Sequence, residues 1–199
     1  MPNTVRKPPP SMTVADFLAW PGDGTGRKFQ LVDGEVRAMS PACAAHSVIQ
    51  GNLVYELRRP MREQRIRCLV GPEPGVLTRI RADINVRVPD VGVTCTRLAP
   101  GQQVWPDPIL LIEVLSPGNA ADTWENVWSY CTIPSVQEIA IVHSAGVFGE
   151  LLRRGADGHW PEETQKIEPG GTLSFESIGF SCPLSEVYAG TPLGDEPTP

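Results

Sequence analysis

Glu113 restricts the fold more than any other residue, because it interrupts the apolar run Ile109-Leu-Leu-Ile-Glu-Val-Leu115. A run that is apolar on both faces reads as a central strand of a sheet covered on both sides. A carboxylate inside such a strand costs several kcal/mol of desolvation unless it is paired or binds a cation. A second carboxylate, Asp90, follows Pro89 and opens another β-rich run, Val91-Gly-Val-Thr-Cys95. On neighbouring strand ends the two would raise each other's pKa and repel. A bound Mg²⁺ or Mn²⁺ removes both penalties, since hard cations prefer carboxylate and carbonyl oxygens. Such an ion can also activate a water for phosphodiester hydrolysis. From the residues alone a structural pairing, such as Glu113 with a buried arginine, stays open.

The rest of the chain reads as elements that would surround such a strand. Thr13-Val-Ala-Asp16 has the form of a capping box opening a short helix. Lys28–Val32 and Glu35–Met39 flank Asp33-Gly34, the strongest short-range hairpin signal. Ser40-Pro41 starts a second helix, in which Ile49, Leu53 and Leu57 recur every four residues over 41–59; Pro60 is expected to end or kink it. Short strands are expected at 67–70, 76–80, 84–88, 91–95 and 109–115, a helix over 122–131, then strands at 138–142, 148–153 and 172–175 and a short helix over 184–188. That order predicts an α/β (α+β) domain over 12–189, a mixed sheet flanked by helices with extra β-hairpins. Residues 1–11 and 190–199 read as Pro-rich or polar tails.

Composition narrows the class. The chain has 199 residues, enough for a substantial core in one domain. The start carries no apolar segment of secretory type, and no run is long enough to cross a bilayer. The five cysteines, 43, 68, 95, 131 and 182, are scattered without zinc spacing, so reduced, mostly buried thiols in a cytoplasmic protein are expected. A net charge of −6 argues against a non-specific DNA-coating protein but not against a nuclease, whose local charge matters more. Basic residues do cluster at Arg58, Arg59, Arg62, Arg65 and Arg67 and at Arg79, Arg81 and Arg87.

A family resemblance covers most of the chain, from about Thr13 to Val187. Lys28-Phe-Gln-Leu-Val-Asp-Gly-Glu35, Met39-Ser-Pro41, His46, Val88-Pro-Asp90-Val, Ile112-Glu-Val-Leu-Ser-Pro117, Asp122, Tyr130 and Val136-Gln-Glu138 together resemble the Uma-two family. These bacterial proteins are described as restriction endonucleases of the PD-(D/E)xK fold. The resemblance implies a metal-dependent endonuclease acting on nucleic acid, with DNA and a homodimer as partners and Mg²⁺ or Mn²⁺ as cofactor. It implies Asp90 and Glu113 as metal ligands with the Val114 carbonyl as a third. It also implies Glu35 as an additional acidic residue at the site and His46 on the inner face of the long helix. The family carries a lysine on the helix after the acidic strand, four residues beyond an aspartate. Counting from Asp122 reaches Asn126, which cannot supply a positive charge. Cleavage is therefore expected to be weakened, and Asn126→Lys to improve it. The alternative is an inactive nuclease-fold protein that binds metal or nucleic acid without turnover. Trp105 and Trp160 are the candidates for an exposed dimer surface.

Overall fold

The strand bearing Glu113 lies inside a six-stranded sheet. In the computed structural model, which describes residues 8–194, the chain runs α1 (Val14–Ala19), β1 (Phe29–Val32), β2 (Glu35–Ala38), α2 (Ala44–Glu63), β3 (Leu69–Pro72), β4 (Val76–Leu77), β5 (Val86–Arg87) and β6 (Val91–Thr94). It continues through β7 (Pro108–Leu115), α3 (Ala120–Tyr130), β8 (Glu138–His143), β9 (Gly149–Arg153), β10 (Gln165–Ile167), β11 (Thr172–Phe175), β12 (Phe180–Pro183) and α4 (Leu184–Tyr188). The sheet order is β10-β9-β8-β7-β6-β3. β7 pairs in parallel with β8 and antiparallel with β6, so the sheet is mixed. A second sheet, β2-β1-β5-β4, and the hairpin β11-β12 complete the expected α/β architecture.

Period-two alternation along β7 divides its side chains between two helices. Ile112 and Val114 pack with Ile49, Leu53 and Leu57 of α2. Leu111 and Leu115 pack with Val127 and Tyr130 of α3. Glu113 therefore faces α3. Each large aliphatic side chain buried this way contributes about 1.5–3 kcal/mol, which fixes the strand and its carboxylate in place.

Local signals explain much of the rest. Asp33 and Gly34 take φ of 50° and 84°, the left-handed pair a two-residue hairpin requires. Thr13 and Asp16 form the reciprocal cap of α1. The long helix begins at the Cys43 cap rather than at Pro41 and continues through Pro60 to Glu63. Met61, just beyond the proline, is buried, and that packing offsets the one hydrogen bond a proline removes. The strands expected at 76–80 and 84–88 shrink to two residues each. A 3₁₀ turn at Ala82–Ile84 separates them, and Asn85 Nδ2 donates to the carbonyls of Ile80 and Arg81 across it.

Three expectations are corrected. Cys68 and Cys95, beside paired ends of β3 and β6, form a disulfide; of the free thiols only Cys182 is buried and Cys43 is exposed. Trp105 and Trp160 are half-buried rather than exposed. The first packs on Gly71, while the second donates to the Cys131 carbonyl under Arg154. Residues 190–194 are not a loose tail, since Thr191 is buried and bonded to the Tyr188 carbonyl and Leu193 packs on the core. The tail expectations for 1–7 and 195–199 fall outside the described residues. Among the described residues no helix is long and apolar enough to cross a membrane.

Candidate functional site

β6 pairs Val91 with Ile112 and Gly92 with Leu111. One step further, Asp90 and Glu113 stand at adjoining positions. Pro89 has no N–H to extend the ladder, and the next residue, Asp90, meets β7 through its side chain as an acceptor. Asp90 Oδ2 accepts the Val114 N–H at 2.6 Å, and Oδ1 lies 2.9 Å from His46 Nε2 in the first turn of α2. Gln50, one helical turn on, donates to the Asp90 carbonyl at 2.8 Å. Both carboxylate oxygens and the backbone of Asp90 are thus held.

Glu113 is held from the other side. Its Oε1 accepts the Tyr130 hydroxyl at 2.6 Å and Asn126 Nδ2 at 3.3 Å. The two donors are four residues apart on α3 and share a face. The Asp90 and Glu113 carboxyls come within hydrogen-bonding reach of each other. Burial above all, then the Asp90 charge, pushes the Glu113 pKa well above the usual carboxylate value, against the Tyr130 and Asn126 hydrogen bonds. None of the ion pairs among the described residues includes Glu113, so the closed arginine pair that the sequence left open is absent there.

The two carboxyls open into a cleft of about 410 Å³, whose lining also includes His46, Asn126, Arg27, Lys28 and Arg37. Among the described residues no group of three or more His, Cys, Asp or Glu is gathered to hold an ion. The two buried carboxyls at the cleft are those of Asp90 and Glu113. That fits Mg²⁺, which keeps several waters and takes one or two carboxylates from a protein. The Val114 N–H faces Asp90, and in an extended strand the C=O of a residue points to the same side as its N–H. The Val114 carbonyl consequently lies on the Asp90 side of β7.

Asp90, Glu113, Val114, His46 and Asn126 are brought together, with exposed Asp122 on the cleft wall. Glu35 is not. It is exposed on β2 and bonds Arg37 Nε at 3.3 Å, and Arg37 rather than Glu35 reaches the cleft, because the strand turns its acidic end outward. Sequence reasoning missed the roles of Tyr130 and Gln50, and above all Arg87. From β5, Arg87 donates through Nη1 to Asn126 Oδ1 and through Nη2 to Glu125 Oε1, both at 3.0 Å. The signal was a charge between Val86 and Val88, the same kind of anomaly that exposed Glu113. Asn126→Lys now places an ammonium beside this guanidinium, so the gain in cleavage expected from that single change no longer follows.

The family model Uma2, described as "Putative restriction endonuclease", matches residues 14–185. The crystal structure of "a putative nuclease belonging to DUF820" from Anabaena variabilis ATCC 29413 superposes with a TM-score of 0.72. It is 19% identical, over 89% of this chain and 97% of that one, a likeness of fold. No curated protein matches the chain.

Proposed function

The chain belongs to the Uma2 family of restriction-endonuclease-like proteins, and from that footing we propose that it is a Mg²⁺- or Mn²⁺-dependent endonuclease acting on DNA. The observation carrying this reading is the pair of buried carboxyls, Asp90 and Glu113, facing each other at a cleft that Arg27, Lys28 and Arg37 also line. Asp90, Glu113 and the Val114 carbonyl would hold the ion. When bound, the ion supplies Lewis acidity toward the phosphate and a lowered pKa for water. His46 and the Val114 N–H fix the Asp90 carboxylate. Tyr130 and Asn126 engage only Oε1 of Glu113, which leaves its second oxygen for a cation. Arg27, Lys28 and Arg37 would grip the DNA backbone. Their pairs with Asp23, Glu73, Glu35 and, for Arg37, also Glu125 each have at least one exposed partner, so a phosphate competes with them in solvent-screened surroundings. The compartment proposed with it is the cytoplasm, where the Cys68–Cys95 bond would face reducing conditions.

A second reading, a relative that binds metal or nucleic acid without turnover, is favoured by one observation: α3 carries no lysine or arginine, and its residue at Glu113 is the neutral Asn126. A plasmid-nicking assay with Mg²⁺ and Mn²⁺ separates the two. Slow nicking, faster in Mn²⁺ and absent in Glu113→Ala, is expected. Metal binding without nicking selects the second reading, and nicking that survives Glu113→Ala refutes the first.

Both strands of a duplex need two such sites, so the working unit is proposed to be a homodimer. Light scattering at micromolar concentration should return twice 21.6 kDa; the monomer mass would contradict it.

A further inference from the structure

Arg87 has no task in the reading above. Its side chain is 4% exposed, on β5, just before the Val88-Pro89 step to Asp90. It does not line the cleft; it borders a separate hollow of about 280 Å³ with Glu125, Trp128 and Ser129 of α3. Burying a guanidinium costs several kcal/mol. An arginine serving packing alone would be expected to use all its donors or to close directly on Glu113. Here Nη2 pairs at 3.0 Å with Glu125, a carboxylate left 43% exposed to solvent, Nε is buried without an acceptor, and the route to Glu113 passes through an amide. Asn126 Oδ1 accepts from Arg87 at 3.0 Å, while Nδ2 of the same amide donates to Glu113 at 3.3 Å on the cleft side. A charged donor makes a hydrogen bond roughly twice as strong as a neutral one, and hydrogen bonds in series polarise one another.

We propose that Arg87 and Asn126 together supply the cleft with the positive charge that α3, which has no lysine or arginine of its own, does not. Arg87 is a positioning residue that supplies the positive charge, and the Asn126 Nδ2–H delivers it to a phosphate oxygen in the cleft. The interposed amide keeps the guanidinium off Glu113, whose carboxylate stays available for a cation. This inference rests on the endonuclease reading.

The test compares the native chain with Arg87→Met, Arg87→Lys and the double variant Arg87→Met/Asn126→Lys, which moves the charge onto the helix. The probe is inorganic phosphate in Mg²⁺ buffer, followed on NMR signals of cleft residues, including the Asn126 side-chain NH₂ in chains that keep it. Single-turnover cleavage in Mn²⁺ and calorimetric Mn²⁺ affinity are measured alongside. Arg87→Met should weaken phosphate binding about tenfold and slow cleavage about 10²-fold, with Mn²⁺ affinity kept. The double variant should recover both to within a few-fold. Arg87→Lys keeps the charge but not the guanidinium fork, so it should stay close to native. A fork needed only for packing would lose as much with lysine as with methionine, and that result overturns the proposal. So does native phosphate affinity in Arg87→Met, a folded double variant that restores nothing, or a native cleft that ignores phosphate. A native chain that binds phosphate at Asn126 yet cuts nothing removes the endonuclease reading and leaves the Arg87–Asn126 pair standing.

Discussion

Glu113→Gln should abolish Mn²⁺ binding and lower cleavage by 10²-fold or more, yet make the metal-free protein more stable at pH 8 than the native chain. Burial and the Asp90 charge raise the Glu113 pKa well above its ordinary 4.5. Below about pH 4.5 the carboxyl is protonated in both folded and unfolded chains and costs nothing. Above it the unfolded chain releases the proton and the folded chain keeps it, so stability falls as pH rises, until the folded pKa is passed. Glutamine removes this slope. Its carbonyl still accepts from Tyr130 and Asn126 through the same atom position, and its NH₂ can donate to Asp90. Added Mg²⁺ should raise the native melting temperature, by about 2.7 kcal/mol of stability at a hundredfold excess over Kd, and leave Glu113→Gln unmoved. Thermal melts from pH 4 to 8, with and without Mg²⁺, read all of this. Identical pH slopes for the two proteins would contradict it.

Asp90→Ala should also abolish metal binding but shift stability the other way. The Val114 N–H loses its 2.6 Å acceptor and His46 its 2.9 Å partner, both in buried surroundings. A buried donor left unmade costs about 1–3 kcal/mol, and each kcal/mol lowers the melting temperature of a chain this size by about 2–4 °C. The melts belong at pH 5, where the Glu113 proton already quenches repulsion between the carboxyls. An Asp90→Ala chain as stable there as the native one would show that Asp90 does not anchor β7.

What the sequence disclosed and what it concealed follow from how far apart the interacting residues lie. The Asp33-Gly34 hairpin and the α1 cap are specified by adjacent residues and were legible. Glu113 was legible because a charge in a two-sided strand is anomalous by itself, and Asp90 because it precedes the strand that pairs with it. Arg87, on the four-stranded sheet, reaches Asn126 on α3 across 39 positions, and no local pattern announces that contact. Glu35 was misplaced because motif order does not fix which way a strand end turns. The Cys68–Cys95 bond depends on β3–β6 register, which spacing does not give. The run of α2 past Pro60 depends on the burial of Met61, a tertiary effect.

Asp90 and Glu113 are proposed to share one cation. A crystal soaked in Mn²⁺ and measured for anomalous scattering tests it most directly. The expected result is one strong peak between the two carboxyls, with metal–oxygen distances of about 2.0–2.2 Å, missing from crystals of Glu113→Gln. Mn²⁺ bound elsewhere while the Asp90–Glu113 position stays empty, or an undiminished peak in Glu113→Gln, would contradict it.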